Sequence, residues 1–344
     1  MSDQIEYLIT GIKTETNNTK TFFLTPNTTN YNYKAGQFIT FTFAFNNHTV
    51  NRSYSISSSP DTDQQISITV KRVLNGEVTN WLFTKAAVGD ILKGSAAQGK
   101  FTIEYTPANK RDIFLIAAGS GITALYSLLK SVLKHEPESN IILVYSNSNI
   151  ESAIFYNEIK NIGSHHSNLT IEWLFSNNSN ILRARLGNFI LEEIMETHLK
   201  YNKNDALIYT CGPEDFMLMV QISCLTNGYN KNNIRKEIFD VTPAEVEKKY
   251  WDNQNRRVTF IKNNTATKID VPYNISLLDA ALRNGISISN SCKAGKCGTC
   301  VCQIKQGKVW MHYNEVLMDN EIENGEVLTC TGHPITDDVI IEIK

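Results

Sequence analysis

From Gln37 to Phe45 the chain reads QFITFTFAF, with Phe41, Phe43 and Phe45 alternating with Thr and Ala. A period of two is that of a strand with one buried face. QISITVKRV (65–73) alternates in the same way through Ile66, Ile68 and Val70. Short strands of this kind, parted by Asn, Gly and Pro clusters, predict a small antiparallel β-barrel. Near residue 110 the texture changes. DIFLIAAG (112–119) is a continuous apolar run ending in glycine, and ITALYSLLKSVLKH (122–135) follows with helical spacing. IILVY (141–145), IEWLFS (171–176) and DALIYTCG (205–212) repeat the buried-strand texture, with a helical stretch around Ile154–Ile162. The alternation predicts an α/β domain with a parallel sheet and crossover helices.

VTPAEVEKKYWDNQN (241–255) is polar and has no core periodicity, so it reads as a linker. Beyond it, VTFIK (258–262) and TKIDVPY (267–273) predict a hairpin, and LLDAALRNG (277–285) a helix closed by glycine. The expectation is a multidomain chain: a β-barrel over 1–106, an α/β domain over 107–240, the linker, and a small α+β domain over 256–344.

At 344 residues, 42% hydrophobic and 20% charged, the composition is that of a globular protein with room for several cores. A net charge of −2 argues against nucleic acid or an anionic membrane as partner. The start, MSDQIEYLITGIKTE, lacks the succession of a signal peptide. No apolar run approaches the ~18 residues of a membrane span. A cytoplasmic protein is expected. Seven cysteines, an odd number in a reducing compartment, then argue against a disulfide framework and leave bound metal or redox chemistry.

Four of those cysteines crowd into SCKAGKCGTCVC (291–302). With Cys330, the spacing of Cys292, Cys297 and Cys300 is C-x4-C-x2-C plus a distant fourth thiol, that of a plant-type [2Fe–2S] cluster. Ala294, Gly295 and Gly298 would let backbone amides approach the sulfurs. A zinc ribbon more often shows two C-x2-C pairs, and a thioredoxin-like dithiol sits at a helix start. Cys302 reads as a small buried residue, although spacing alone leaves an exchange of roles with Cys300 open. Cys224 reads as core.

A cluster carries one electron, so a donor of single electrons is needed. NRSYSISSSP (51–60) offers Arg52 for a phosphate, Tyr54 to stack on an aromatic ring and Ser55 to hydrogen-bond its edge. Alone, the same letters describe a polar strand end. In NGEVTNWLF (75–83), Gly76, Thr79 and Asn80 stand where a turn opens a helix, a ready phosphate site. AAGSGITA (117–124) joins a buried strand to a helix, and Gly119 and Gly121 suit close approach to a pyrophosphate. Tyr145 is followed by Ser146-Asn147-Ser148 rather than the usual acid, which leaves NADH and NADPH both open. Arg183 or Arg185 is a receiver for a 2′-phosphate or simply a solvated charge. YTCGPEDF (209–216) puts Cys211, Gly212 and Pro213 at a late strand end, where open sheets bind ligands. His165-His166 reads as a solvated loop, and His48 and His333 show no obvious partner. Eight acids and no Lys or Arg lie between Val309 and Ile343, a docking face or a merely solvated one.

RSYS, GSGIT, YTCGP, KEIF (236–239) and the cysteine loop, in this order, resemble the ferredoxin–NADP reductase superfamily. They match its branch with a C-terminal plant-type ferredoxin domain, and the resemblance spans nearly the whole chain. It implies a flavin-binding barrel, an NAD(P)-binding domain and a β-grasp ferredoxin domain. It implies flavin contacts from Arg52, Ser53, Tyr54 and Ser55, and phosphate contacts near Gly76, Thr79 and Asn80. Gly119, Gly121, Thr123, Cys211, Gly212 and Pro213 would line the nicotinamide side, with Glu237 and Phe239 near the flavin's far face. Tyr54, Ser55 and Cys211 are the expected catalytic residues, and Cys292, Cys297, Cys300 and Cys330 the metal ligands. Ala124 stands where many relatives have Pro, and the arginine frequent after the second strand in NADPH-using relatives is missing.

The implied activity moves a hydride from NADPH or NADH onto FAD, with FMN the alternative, and then single electrons through a [2Fe–2S] cluster to a protein acceptor. The expected acceptor is an oxygenase component such as phenylacetyl-CoA epoxidase. A hybrid-cluster protein, a desaturase or a haem protein is the alternative acceptor, and an iron–sulfur sensor without flavin the non-enzymatic alternative.

Overall fold

The computed structural model describes residues 4–240, 242 and 252–343, which divide into two compact units, one ending at Phe239 and one beginning at Asp240. Of the expected linker, only Thr242 and residues 252–255 are among the described residues.

The first unit opens with six strands: β1 (Ile5–Thr16), β2 (Thr19–Pro26), β3 (Phe38–Phe45), β4 (His48–Ser55), β5 (Ile66–Lys71) and β6 (Ile91–Gly94). Helix α1 (Glu77–Thr84) lies between the last two. The sheet order is β4-β3-β6-β1-β2-β5, and every pairing is antiparallel. A lone bridge, Ile56 to Ile68, links the chain just past β4 to β5 and so draws the two edges together. Phe41 and Phe43 are buried, as the alternation predicted. Strand β5 departs from it: Ser67 and Thr69, read as the solvent face, are buried too. Their hydroxyls are satisfied within the protein, Thr69 Oγ1 by Thr21 and Ser57 at 2.8 Å each, and Ser67 Oγ by Ser57 at 3.1 Å. A buried polar face is tolerated when it bonds to itself.

A parallel sheet follows in the same unit. Strand β7 (Asp112–Ala118) leads through a tight turn into α2 (Ile122–His135), then β8 (Asn140–Asn147), α3 (Tyr156–His165) and β9 (Leu169–Phe175). Next come α4 (Asn188–His198), β10 (Leu207–Cys211), α5 (Glu214–Thr226) and β11 (Ile234–Glu237). The order is β11-β10-β7-β8-β9, all parallel, so the strand order reverses between β7 and β10. Both faces of the sheet are covered, which is why its inner strands β7, β8 and β10 read as largely apolar runs. The barrel contributes to one of those cores: Ala35, Phe101 and Ile103 pack with Leu125, Leu128 and Tyr209. Hydroxyls stitch the same seam, Ser127 to the Ser58 carbonyl at 2.5 Å and Tyr209 to the Thr102 carbonyl at 2.7 Å.

The second unit contains β12 (Arg256–Lys262) and β13 (Thr265–Val271), the expected hairpin, turned by Asn263 and Asn264 at φ 48° and 62°. Asparagine tolerates this left-handed region, which the tight hairpin turn demands. Helix α6 (Leu277–Arg283) is capped by Ser276, whose hydroxyl accepts from the Asp279 amide at 3.1 Å. Then come β14 (Val301–Gln306), β15 (Val309–Met311), α7 (Asp319–Glu323), β16 (Glu326–Leu328), β17 (Gly332–Pro334) and β18 (Val339–Glu342). The main sheet runs β13-β12-β18-β14-β16, and α6 buries Leu277, Leu278, Ala280 and Ala281 in its core. Among the described residues no helix is long and apolar enough to cross a membrane.

Candidate active site and metal centre

The barrel presents its motif at the end of β4. Tyr54 packs its ring 6.4 Å from Phe41, and its hydroxyl is buried without a hydrogen-bond partner. The Ser55 hydroxyl beside it is likewise buried and unpartnered. Burial pushes the Tyr54 phenol well above its usual range, against the pull of the nearby Arg52 charge, so it is a neutral donor. Two adjacent donors without acceptors are costly in a folded chain and fit the polar edge of a flavin. Arg52 is exposed, its guanidinium donating to the Asn51 carbonyl at 2.8 Å, and Ser53 Oγ meets Thr40 Oγ1 at 2.9 Å. Gly76 is the N-cap of α1. Thr79 and Asn80 are engaged with the turn itself: Thr79 Oγ1 accepts from the Val73 amide at 3.1 Å, and Asn80 Nδ2 donates to the Leu74 carbonyl at 3.2 Å. They shape the loop that a phosphate would meet. The first turn of α1 also holds Glu77, paired at 3.0 Å with His48, which therefore has the partner the sequence did not reveal.

At the reversal point of the parallel sheet, Gly119–Gly121 forms a single turn opening α2, with Gly119 at φ 54°. A Cβ on Gly121 would stand 2.0 Å from the Cys211 carbonyl oxygen, so only glycine lets this turn close against the end of β10. The Thr123 hydroxyl donates to the Ser120 carbonyl at 3.0 Å. Cys211 is fully buried and in register with Glu237 on β11. Burial first, and the Glu237 carboxylate second, push its thiol far above the usual range, so it acts as a neutral group. Gly212 packs against Ala118, and Pro213 opens α5. Phe239 is 46% exposed, an aromatic ring left open beside the buried Glu237.

Tyr145, buried on β8, was not singled out from the sequence. Its hydroxyl donates to the Gly119 carbonyl at 3.2 Å and accepts from the Ile154 amide at 3.1 Å, tying the glycine turn to the loop after β8. Only the parallel pairing of β7 and β8 makes that contact possible. Arg183 is held by Glu193 at 2.9 Å and Glu172 at 3.7 Å. His165 is the last residue of α3, not a loop residue, with Nδ1 2.8 Å from the Asn161 carbonyl.

In the second unit the cysteine loop follows α6. The Ala294 amide donates to Cys292 Sγ at 3.3 Å, joined by the amides of Lys296 and Cys297, and the Gly295 amide donates to the Cys330 sulfur. Glycine is required at 295, at φ 71°, because a Cβ would meet the Tyr313 carbonyl at 2.9 Å. The thiols associate in two pairs. Cys297 donates to Cys292 and holds it below the usual thiol range, while Cys300 is lowered by the thiol of Cys330; Cys297 and Cys330 are raised in return by the partners they serve. Among the described residues no three His, Cys, Asp or Glu converge as they would around one ion. Two pairs sharing a nest of amides suit a two-iron cluster, two thiolates to each iron, better than a tetrahedral zinc. Cys302 is buried in the core of β14, 1% exposed, and Cys224 is core as expected, its sulfur 3.7 Å from that of Met195. His333 is buried, its ring 5.4 Å from His312. No disulfide joins the seven cysteines.

Three family models match the chain: an oxidoreductase FAD-binding domain over residues 7–103, an oxidoreductase NAD-binding domain over 115–221 and a 2Fe–2S iron–sulfur cluster binding domain over 260–334. The ferredoxin reductase component of 3-ketosteroid-9-alpha-monooxygenase from Rhodococcus rhodochrous is 31% identical over 323 residues, 90% of this chain and 88% of that one. The 1,2-phenylacetyl-CoA epoxidase of Escherichia coli (strain K12) has a component that is 28% identical over 318 residues, 91% of this chain and 89% of that one. Among solved structures, phthalate dioxygenase reductase superposes with a TM-score of 0.58 at 20% identity, over 99% of this chain and 98% of that one. An intact type IV self-sufficient cytochrome P450 monooxygenase gives 0.73 at 16%, over 98% of this chain and 41% of the other. These two likenesses speak to the fold alone.

Proposed function

Because the chain belongs to the ferredoxin–NADP reductase-like flavoproteins with a C-terminal [2Fe–2S] ferredoxin domain, we propose that it is the reductase component of an oxygenase system, with 1,2-phenylacetyl-CoA epoxidase among the candidate acceptors. FAD held by the barrel would supply the means to take two electrons as hydride from NAD(P)H and pass them on singly, as a [2Fe–2S] cluster requires. The domain bounds are proposed as 1–106, 107–240 and 256–344 about the linker 241–255. Tyr54 and Ser55 orient the flavin through their hydroxyls, with Arg52, Ser53 and the loop of Gly76, Thr79 and Asn80 on its polar side. Gly119, Gly121, Thr123, Gly212 and Pro213 receive the nucleotide, and Cys211, neutral and buried beside Glu237, lines the transfer site with Phe239. Cys292, Cys297, Cys300 and Cys330 would hold the cluster, Cys292 paired with Cys297 and Cys300 with Cys330.

The observation that carries this reading is the adjacent pair of buried, unpartnered hydroxyls of Tyr54 and Ser55 at the end of β4, which suit the polar edge of a flavin. A cytoplasmic location is part of the same proposal, supported by seven cysteines without a disulfide. The test is an absorption spectrum of the purified full-length protein before and after addition of NADH or NADPH, followed by reconstitution with the epoxidase and with other oxygenase components. Flavin bands that bleach, and product formation that depends on this chain, are expected. A protein without flavin bands sinks the reductase reading, and bleaching without transfer to any oxygenase sinks the choice of acceptor.

A further inference from the structure

The parallel sheet also bears on which nucleotide donates the hydride, an inference that rests on the reductase reading. Its strand order reverses between β7 and β10, and open α/β sheets bind a dinucleotide across that point. With the pyrophosphate at the Gly119–Gly121 turn, the adenosine ribose falls over the end of the next strand, β8. There a carboxylate would bind the free 2′-hydroxyl, whereas a guanidinium would receive a 2′-phosphate.

The two strand ends themselves carry neither, and the first charged residue after β8 is the exposed Glu151. Strand β8 runs out through Ser146 and Asn147 into Ser148, and β9 runs out into Ser176, Asn177 and Asn178. The two exits are zipped together: the Ser176 amide donates to the Asn147 carbonyl at 2.9 Å, and the Asn177 amide to the Ser148 carbonyl at 3.2 Å. They form one continuous uncharged rim. Of the next cations along the chain, Arg183 is shared between Glu193 and Glu172, and Glu172 also meets His198 Nε2 at 2.8 Å. That group brings two carboxylates to one arginine, which leaves no surplus positive charge for a dianion. Arg185 is exposed and lies beyond it on the chain.

A 2′-phosphate is strongly hydrated, and removing it from water without a paired cation is costly. A ribose diol needs only neutral donors and acceptors, which serine hydroxyls and asparagine amides supply. We propose that this chain is selective for a dinucleotide with a free adenosine 2′-hydroxyl, NADH, and that the uncharged rim of Ser146–Ser148 and Ser176–Asn178 sets that choice.

The test is steady-state reduction of ferricyanide by the flavin-loaded full chain with each nucleotide. The expected kcat/KM is higher for NADH by about tenfold or more, the difference lying in KM, because the lost interaction is one of binding. Ser148→Arg and, separately, Asn177→Arg place a cation on the rim. At least one should raise the NADPH-to-NADH ratio of kcat/KM by roughly fivefold, through a gain with NADPH. Arg185→Ala should leave the ratio within about twofold. Parity or a preference for NADPH in the unaltered chain overturns the proposal. A loss confined to NADPH in Arg185→Ala also overturns it, since Arg185 would then be the phosphate receiver. No gain in either arginine variant removes the rim as the determinant. If neither nucleotide bleaches the flavin, the reductase reading itself has failed, an outcome distinct from a reversed preference.

Discussion

The end of β4 and the cysteine loop are each suited to a bound group, yet in opposite ways. Tyr54 and Ser55 have hydroxyls with no partner. The sulfurs of the cysteine loop already have partners, in each other and in the amides of Ala294, Lys296, Cys297 and Gly295. An aromatic cofactor supplies directional acceptors of its own, so its pocket is marked by unmet demand. A cluster supplies negative charge, so its nest is marked by donors that converge before the metal arrives. One site is recognised by what is missing, the other by what has gathered.

Three substitutions put this contrast under strain. The largest effect belongs to Cys330→Ser, which removes one member of a thiol pair. Cluster absorbance should vanish and cytochrome or oxygenase reduction fall by about a hundredfold or more, while flavin bleaching by nucleotide stays within about twofold. Cluster absorbance retained in that variant would break the pairing described above. Next is Tyr54→Phe. It removes an unmet donor, so the apoprotein should melt a few degrees higher, a gain of ~1–3 kcal/mol, while FAD binds about tenfold more weakly. A lower melting temperature in the apoprotein would mean that the hydroxyl has a partner within the chain. The smallest effect is expected from Cys302→Ser, which buries a hydroxyl in the β14 core. Stability should fall by ~1–2 kcal/mol, read from urea unfolding, with the cluster spectrum unchanged. A lost cluster would move the ligand from Cys300 to Cys302.

Much of this was legible in the chain, and the rest for definite reasons was not. Residues 122–135 form α2 as the spacing predicted, because one face of that helix meets the sheet and repeats every turn. The hairpin of β12 and β13 was readable too, from two strand-like runs standing close together in the chain. Strand β5 misled at Ser67 and Thr69, since alternation cannot distinguish a solvent face from a face closed by Thr21 and Ser57. The cysteine spacing pointed to a cluster, but the grouping of Cys292 with Cys297 and Cys300 with Cys330 depends on the path of β14 and β16. His48 and Tyr145 show the same limit. Their partners, Glu77 and Gly119, lie 29 and 26 residues away along the chain and meet them only through tertiary structure.

The core shared by Ala35, Phe101 and Ile103 with Leu125 and Leu128 has a thermodynamic consequence. Two sheets that bury one set of side chains cannot melt in succession, since loosening either one wets the other. Residues 4–239 are therefore expected to unfold together on heating, as one transition in calorimetry. A weak point in the barrel lowers the melting temperature of the nucleotide sheet as well, and cofactor held by one half stabilises both.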